Sequence, residues 1–252
     1  MIPGDFSNQA DAYRESRPTY PSALIDLLVA DSGLVPGDTV ADFGAGTGIM
    51  TRLLADRGFV VSAIEPNAAM RSQADVAEAR WIDGTFEASR LESASQCWAV
   101  AAQAFHWADP VRCLPEIRRI LQPGRILTVL WNNRSPRNGD PVDWTEAAIR
   151  RHVPEFTEAY RNVLIDKILE STGDFQFVSR RSMVHTVSMS RDRYLKLWNS
   201  HNRLNTIAGS HRFQEFFLEL SGHLEQQRID CVEVRYECES WSARSRNSAA
   251  KS

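Results

Sequence analysis

Three glycines, two acids and a histidine carry the chemistry readable in this chain. Gly44, Gly46 and Gly48 alternate directly behind Asp42, Glu65 closes the following apolar run, and His106 stands just past a later one. Glycines at alternate positions let a backbone turn sharply and approach a ligand with no Cβ between them. An acid about twenty residues further on is where a doubly wound sheet holds ribose hydroxyls. The combination predicts a site for a nucleotide-type cofactor. His106 suits proton transfer near neutrality because its ordinary pKa lies there; the alternative reading is a capping or core histidine bonded to backbone. His201 and Tyr13 are second choices for a base.

These residues need elements to hold them. Thr39 to Phe43 is a short apolar and β-branched run, read as a buried strand. Ile49 to Asp56 has helical spacing, so the glycines join a strand to a helix. Phe59 to Ile64 and Ala79 to Ile82 read as the second and third strands, the latter ending in Asp83-Gly84-Thr85-Phe86. Cys97 to Gln103 is almost uninterrupted in apolar character, as a buried parallel strand should be. It leads into Gln103-Ala104-Phe105-His106-Trp107, which a parallel α/β sheet would present outside its strand ends. Pro110 to Leu121 reads as an amphipathic helix, and Ile126 to Trp131 as the fifth strand.

The glycine spacing separates cofactor classes. A dinucleotide fingerprint, G-x-G-x-x-G, requires a third glycine where this chain has Ile49. The G-x-G-x-G run behind Asp42 instead resembles motif I of the class I S-adenosylmethionine-dependent methyltransferases. The phrases Phe6-Ser7, Ala12-Tyr13 and Arg17-Pro18-Thr19-Tyr20-Pro21, with Ala-Gln-Ala-Phe-His-Trp after the fourth strand, resemble the small-molecule subgroup related to trans-aconitate methyltransferases. The chain departs from that subgroup at Cys97, usually Asp, and at Arg125, usually the second glycine of Pro-Gly-Gly; both lie away from the site.

The resemblance implies a Rossmann-like, doubly wound α/β fold of seven mostly parallel strands, with an antiparallel last strand and a helical cap insertion. It implies S-adenosyl-L-methionine as cofactor and S-adenosyl-L-homocysteine as product. Asp42, Gly44, Gly46, Gly48 and Gln103 would line the cofactor, Glu65 would grip its ribose, and Asp83 would meet its adenine amino group with Phe86 packed on the ring. The N-terminal segment would fold over as a lid, unless it merely packs on the sheet. There Arg17 suits the methionine carboxylate, because its planar fork pairs bidentately with one. Tyr13 and Tyr20 would shield the sulfonium with aromatic faces. The acceptor would be a small molecule, with His106 as general base where it arrives protonated. A non-catalytic module binding the same cofactor is the second reading, and a dehydrogenase the third.

The remaining chain bounds this reading. With 252 residues the chain can form one α/β domain, and a net charge of −3 argues against a large nucleic-acid footprint. Neither a membrane-length apolar stretch nor a signal peptide is visible, so a cytoplasmic protein, monomer or homodimer, is expected. Cys97, Cys113, Cys231 and Cys238 are scattered, predicting neither a metal site nor disulfides. A single domain is expected: residues 1–21 as lid, 22–134 as cofactor-binding core, 135–175 as cap insertion, 176–243 as the end of the sheet, and 244–252 as a disordered tail. Within the cap, Trp144, Tyr160 and Arg161 could line the substrate side.

Overall fold

The structure is a computed structural model that describes residues 16–157 and 164–246. Tyr13, Tyr160 and Arg161 lie outside the described residues. Seven strands form one sheet in the order β3-β2-β1-β4-β5-β7-β6. In chain order these are β1 (Thr39–Phe43), β2 (Val60–Ile64), β3 (Arg80–Ile82), β4 (Gln96–Ala102), β5 (Leu121–Arg134), β6 (Phe175–Ser190) and β7 (Cys231–Ser245). The pairs β1–β2, β1–β4, β2–β3 and β4–β5 are parallel. The sheet is mixed, with antiparallel last strands where the sequence reading expects a single antiparallel last strand. The order reverses between β1 and β4, and a sheet of this kind opens a ligand crevice at such a switch, outside the carboxyl ends of its strands.

The helices in chain order are α1 (Ser22–Ser32), α2 (Ile49–Ala55), α3 (Ala68–Ser72), α4 (Pro110–Ile120), α5 (Pro141–His152), α6 (Ile165–Glu170), α7 (Arg191–Asn199) and α8 (Asn202–Gln226). Local chemistry fixes several of their starts. Asp109 accepts from the Val111 N–H and is followed by Pro110, which has no N–H to leave unpaired at the first turn of α4. Asn67 accepts from the Ala69 and Met70 N–H groups and so starts α3. In α8 the backbone breaks at Gly209, whose φ of 70 lies outside the helical region.

The described residues fall into two compact units. The core unit comprises 19–132, 164–183 and 238–246; the helical unit comprises 16–18, 133–157 and 184–237. In the core unit Leu24, Ile25 and Leu28 of α1 and Met50 and Leu54 of α2 join Val40, Val61, Trp98 and Val100 in one apolar cluster. Six of the seven β4 residues are buried, which explains its run of apolar side chains. In the helical unit Val142, Ile149, Tyr194, Trp198, Phe216 and Val234 form the centre of a second cluster.

Three boundaries differ from the sequence reading. Strand β5 is longer than Ile126 to Trp131, running from the end of α4 to Arg134 with a register irregularity between Gln96 and Trp98 of its partner. Helix α4 ends at Ile120 rather than Leu121, which already belongs to β5. The expected tail is corrected at its start: Arg244 and Ser245 belong to β7, and the Arg244 guanidinium donates to the Gly124 carbonyl at 2.8 Å. Arg246 is pinned too, since its N–H donates to the Asp174 carbonyl and its own carbonyl accepts from Arg118. These partners are far away in sequence, so the polar composition of the segment did not announce them.

Candidate functional site

The site residues within the core unit gather at the carboxyl ends of β1, β2, β3 and β4. Registers place Asp42 beside Ala63 on β2 and Val100 on β4. The glycine turn is hung from β2: the Gly44 and Ala45 N–H groups both donate to the Ile64 carbonyl, at 2.9 and 3.1 Å. Gly44 has φ +65, and a Cβ added there would come within 2.4 Å of the Ala104 Cβ, so both conformation and space require glycine. Gly48, φ +91, would meet Val76 at 3.0 Å and Trp81 at 3.3 Å. The turn therefore keeps its backbone bare on a tightly packed base.

Glu65 closes this turn. One carboxylate oxygen accepts from the Gly46 N–H at 3.0 Å and the other from the Asn67 N–H at 2.8 Å. Each oxygen retains a second lone pair, as a ribose clasp needs. Burial raises the Glu65 pKa against the pull of those two N–H groups and of Arg71. Arg71 donates to the Glu65 carbonyl at 2.6 Å and pairs with Asp83 at 3.5 Å. Asp83 is thus an exposed, ion-paired carboxylate at the end of β3. The sequence reading takes Pro66 and Asn67 as a helix start but does not bring Asn67 or Arg71 to the site.

Asp42 is 1% exposed. One oxygen accepts from the Thr51 hydroxyl at 2.6 Å; the other, Oδ1, is buried with no hydrogen-bond partner among the described residues. Burial lifts its pKa to about 7, opposed by the Thr51 bond and assisted by the Glu65 charge. The buried Thr47 hydroxyl likewise has no partner among the described residues. Orphaned polar atoms under a bare glycine backbone fit a ligand that offers hydrogen bonds and positive charge.

Phe86 sits under the glycine turn. It is buried, stacked on Phe43 with ring centroids 5.3 Å apart, and meets Phe105 edge-on at 6.1 Å. Its ring also borders the space beside Gly44, so it floors the turn. Gln103, at φ 55, takes a backbone bend at the end of β4 and donates through its amide to the Asn132 carbonyl at 2.8 Å. The Asn132 amide donates to the Thr19 carbonyl at 3.3 Å, tying the strand end to the chain before α1. His106 is exposed on a short 3-10 turn, Phe105–Trp107, with its ring 4.6 Å from Trp107 and 5.2 Å from the buried Trp131. These two indoles fix where the imidazole stands.

Other expected residues fall in the helical unit. The Arg17 carbonyl accepts from Arg193 at 3.2 Å. His201 accepts from the Leu204 N–H as the cap of α8, which favours a structural role. Trp144 stacks on His223 with centroids 3.7 Å apart. Among the described residues no group of three His, Cys, Asp or Glu is arranged to hold a metal ion, and no helix is long and apolar enough to cross a membrane.

Residues 41–129 match a methyltransferase domain family. An uncharacterized methyltransferase of Mycobacterium tuberculosis (strain ATCC 25618 / H37Rv) is 38% identical over 136 residues, 53% of this chain and 54% of that protein. The chain thus spans about half the length of the curated relatives it matches. A solved structure from Anaeromyxobacter dehalogenans, provisionally named a type II methyltransferase, shares the fold with a TM-score of 0.62 at 21% identity, covering 91% of this chain and 97% of that one. A Haemonchus contortus phosphoethanolamine N-methyltransferase, solved with phosphomonomethylethanolamine and S-adenosylhomocysteine, gives a TM-score of 0.53 at 13% identity, covering 96% and 58%. Residues 41–129 therefore match a methyltransferase domain family, and the solved structures share the Rossmann-like fold of the whole sheet. These matches do not specify the trans-aconitate-like subgroup.

Proposed function

We propose that the chain transfers a methyl group from S-adenosyl-L-methionine to a small-molecule acceptor. One observation carries the reading: Glu65 clasps the bare glycine turn through Gly46, above the buried carboxyl of Asp42. The cofactor supplies an already activated methyl group, whose bond to sulfur breaks as the bond to the acceptor forms, leaving a neutral thioether. The protein's share is binding, alignment and exclusion of water. Glu65 would take the ribose hydroxyls, the turn Gly44–Gly48 the methionine portion, and Asp83 the adenine amino group, with Phe86 as the floor beneath. The covering role of Tyr13 and Arg17 rests on the sequence pattern alone.

His106 is the base in this proposal, exposed beyond β4 and held by Trp107 and Trp131. It would accept the acceptor's proton at an imidazole nitrogen as the new bond forms. Titration calorimetry with S-adenosylhomocysteine tests the cofactor, and absence of binding would sink the proposal. Appearance of S-adenosylhomocysteine when protein and donor meet a metabolite extract separates an enzyme from a binding module. His106→Ala should lower turnover by about 10²-fold or more with cofactor affinity nearly unchanged; intact turnover removes His106 from the reaction.

A further inference from the structure

The glycine-turn edge buries a carboxyl group of which one oxygen has no hydrogen-bond partner among the described residues. Asp42 is flanked by apolar Ala63 and Val100 on neighbouring strands, with a single bond from Thr51 on α2. The charged groups around it offer no counterion among the described residues. Glu65 at the end of β2 is another acid. Arg52 of α2 pairs with exposed Glu78, and Arg71 of α3 is engaged by the Glu65 carbonyl and Asp83. Thr47 in the turn adds only a hydroxyl. A carboxyl held this way is costly to ionise until a cation arrives.

Resting on the methyl-donor reading, we propose that Asp42 selects for charge, its ionised form favouring the cationic sulfonium donor over the neutral thioether product. Binding of the donor then expels the Asp42 proton to solvent. Loss of the methyl group leaves the sulfur uncharged, and Asp42 takes a proton back from water. Product affinity no longer benefits from the carboxylate, which helps the product leave. Burial sets the group to titrate at about 7, so the switch operates near neutral pH.

Calorimetry with S-adenosylmethionine and S-adenosylhomocysteine on the full chain at pH 5.5, 6.5 and 7.5, each in two buffers of different ionisation enthalpy, tests this. The preference for donor over product should rise about tenfold across that range, corresponding to one pKa unit of coupling. Proton release should accompany donor binding more than product binding. In Asp42→Asn the ligands' own titration remains, and the extra rise should vanish. If that variant does not fold, Thr51→Val serves, since losing the hydroxyl bond should move the rise to higher pH. A constant preference in the wild type, a rise that persists in the Asn variant, or one that Thr51→Val leaves in place overturns the inference. Failure of both ligands to bind at any pH overturns the methyl-donor reading instead.

Discussion

Two carboxyl groups of the core unit have opposite fates. Asp42, at the glycine turn, is fully buried with one bond and is pushed up to about 7. Glu116, on α4, accepts from the Ser89 N–H at 2.9 Å, the Ser89 hydroxyl at 2.5 Å and two Arg119 nitrogens at 2.7 and 2.8 Å. Those bonds, Arg119 first, hold it down at about 2. Glu116 has its partners inside the chain, and its charge fastens the Ser89 loop to α4. Asp42 lacks them, and its charge awaits something from outside. The paired acid helps build the fold, while the under-paired one lies where we propose that the methyl donor binds.

The largest effect that can break this contrast is a pH dependence. Asp42 has a folded pKa above its unfolded 3.8, so its stabilising contribution is full below that value and is lost as pH rises through about 7. At about 1.4 kcal/mol per unit the ceiling is about 4 kcal/mol between pH 4 and pH 8 in the ligand-free protein. Urea unfolding across that range should show the decline in the wild type and a flatter profile in Asp42→Asn. Equal slopes would mean that Asp42 is partnered after all. A smaller effect follows from Gly44→Ala. Its Cβ would sit 2.4 Å from the Ala104 Cβ in a left-handed conformation, costing roughly 2–4 kcal/mol. Affinity for S-adenosylhomocysteine should fall along with stability. A variant that binds normally would show the turn to be more plastic than its packing implies.

What the sequence disclosed follows the same division. Glycine spacing, the acid after β2 and the histidine beyond β4 depend on local order along the chain, so the parallel core and the residues at its strand ends could be read directly. The bond from Thr51 to Asp42 spans a strand, a turn and a helix, and no periodic pattern reports it. The stacking of Phe86 on Phe43 was equally unannounced, because the direction of a loop side chain is decided by its neighbours in space. The same holds for Arg244 and Arg246, whose polar setting suggested a tail while their partners lie on β5, α4 and the loop before β6. The Glu116–Ser89 clasp joins residues 27 apart and was equally invisible.

That clasp supplies the smallest and most diagnostic prediction. Glu116→Gln keeps the shape but removes the charge that strengthens the bonds from Ser89 and Arg119. The Arg119 side chain is 40% exposed, so solvent screens its share, and the loss should come mainly from the Ser89 pair, roughly 1–2 kcal/mol in urea unfolding. The pH signature should be opposite to that of Asp42. Glu116 has a folded pKa below its unfolded 4.5, so its contribution is present above that value and fades as pH falls through about 2. Glu116→Gln should therefore flatten the acid limb of the stability profile and leave the slope from pH 6 to pH 8 untouched. Binding of S-adenosylhomocysteine should also stay near the wild-type value, because the clasp lies off the glycine turn. If the substitution altered the neutral slope instead, the two carboxyls would share one titration and the contrast between them would collapse.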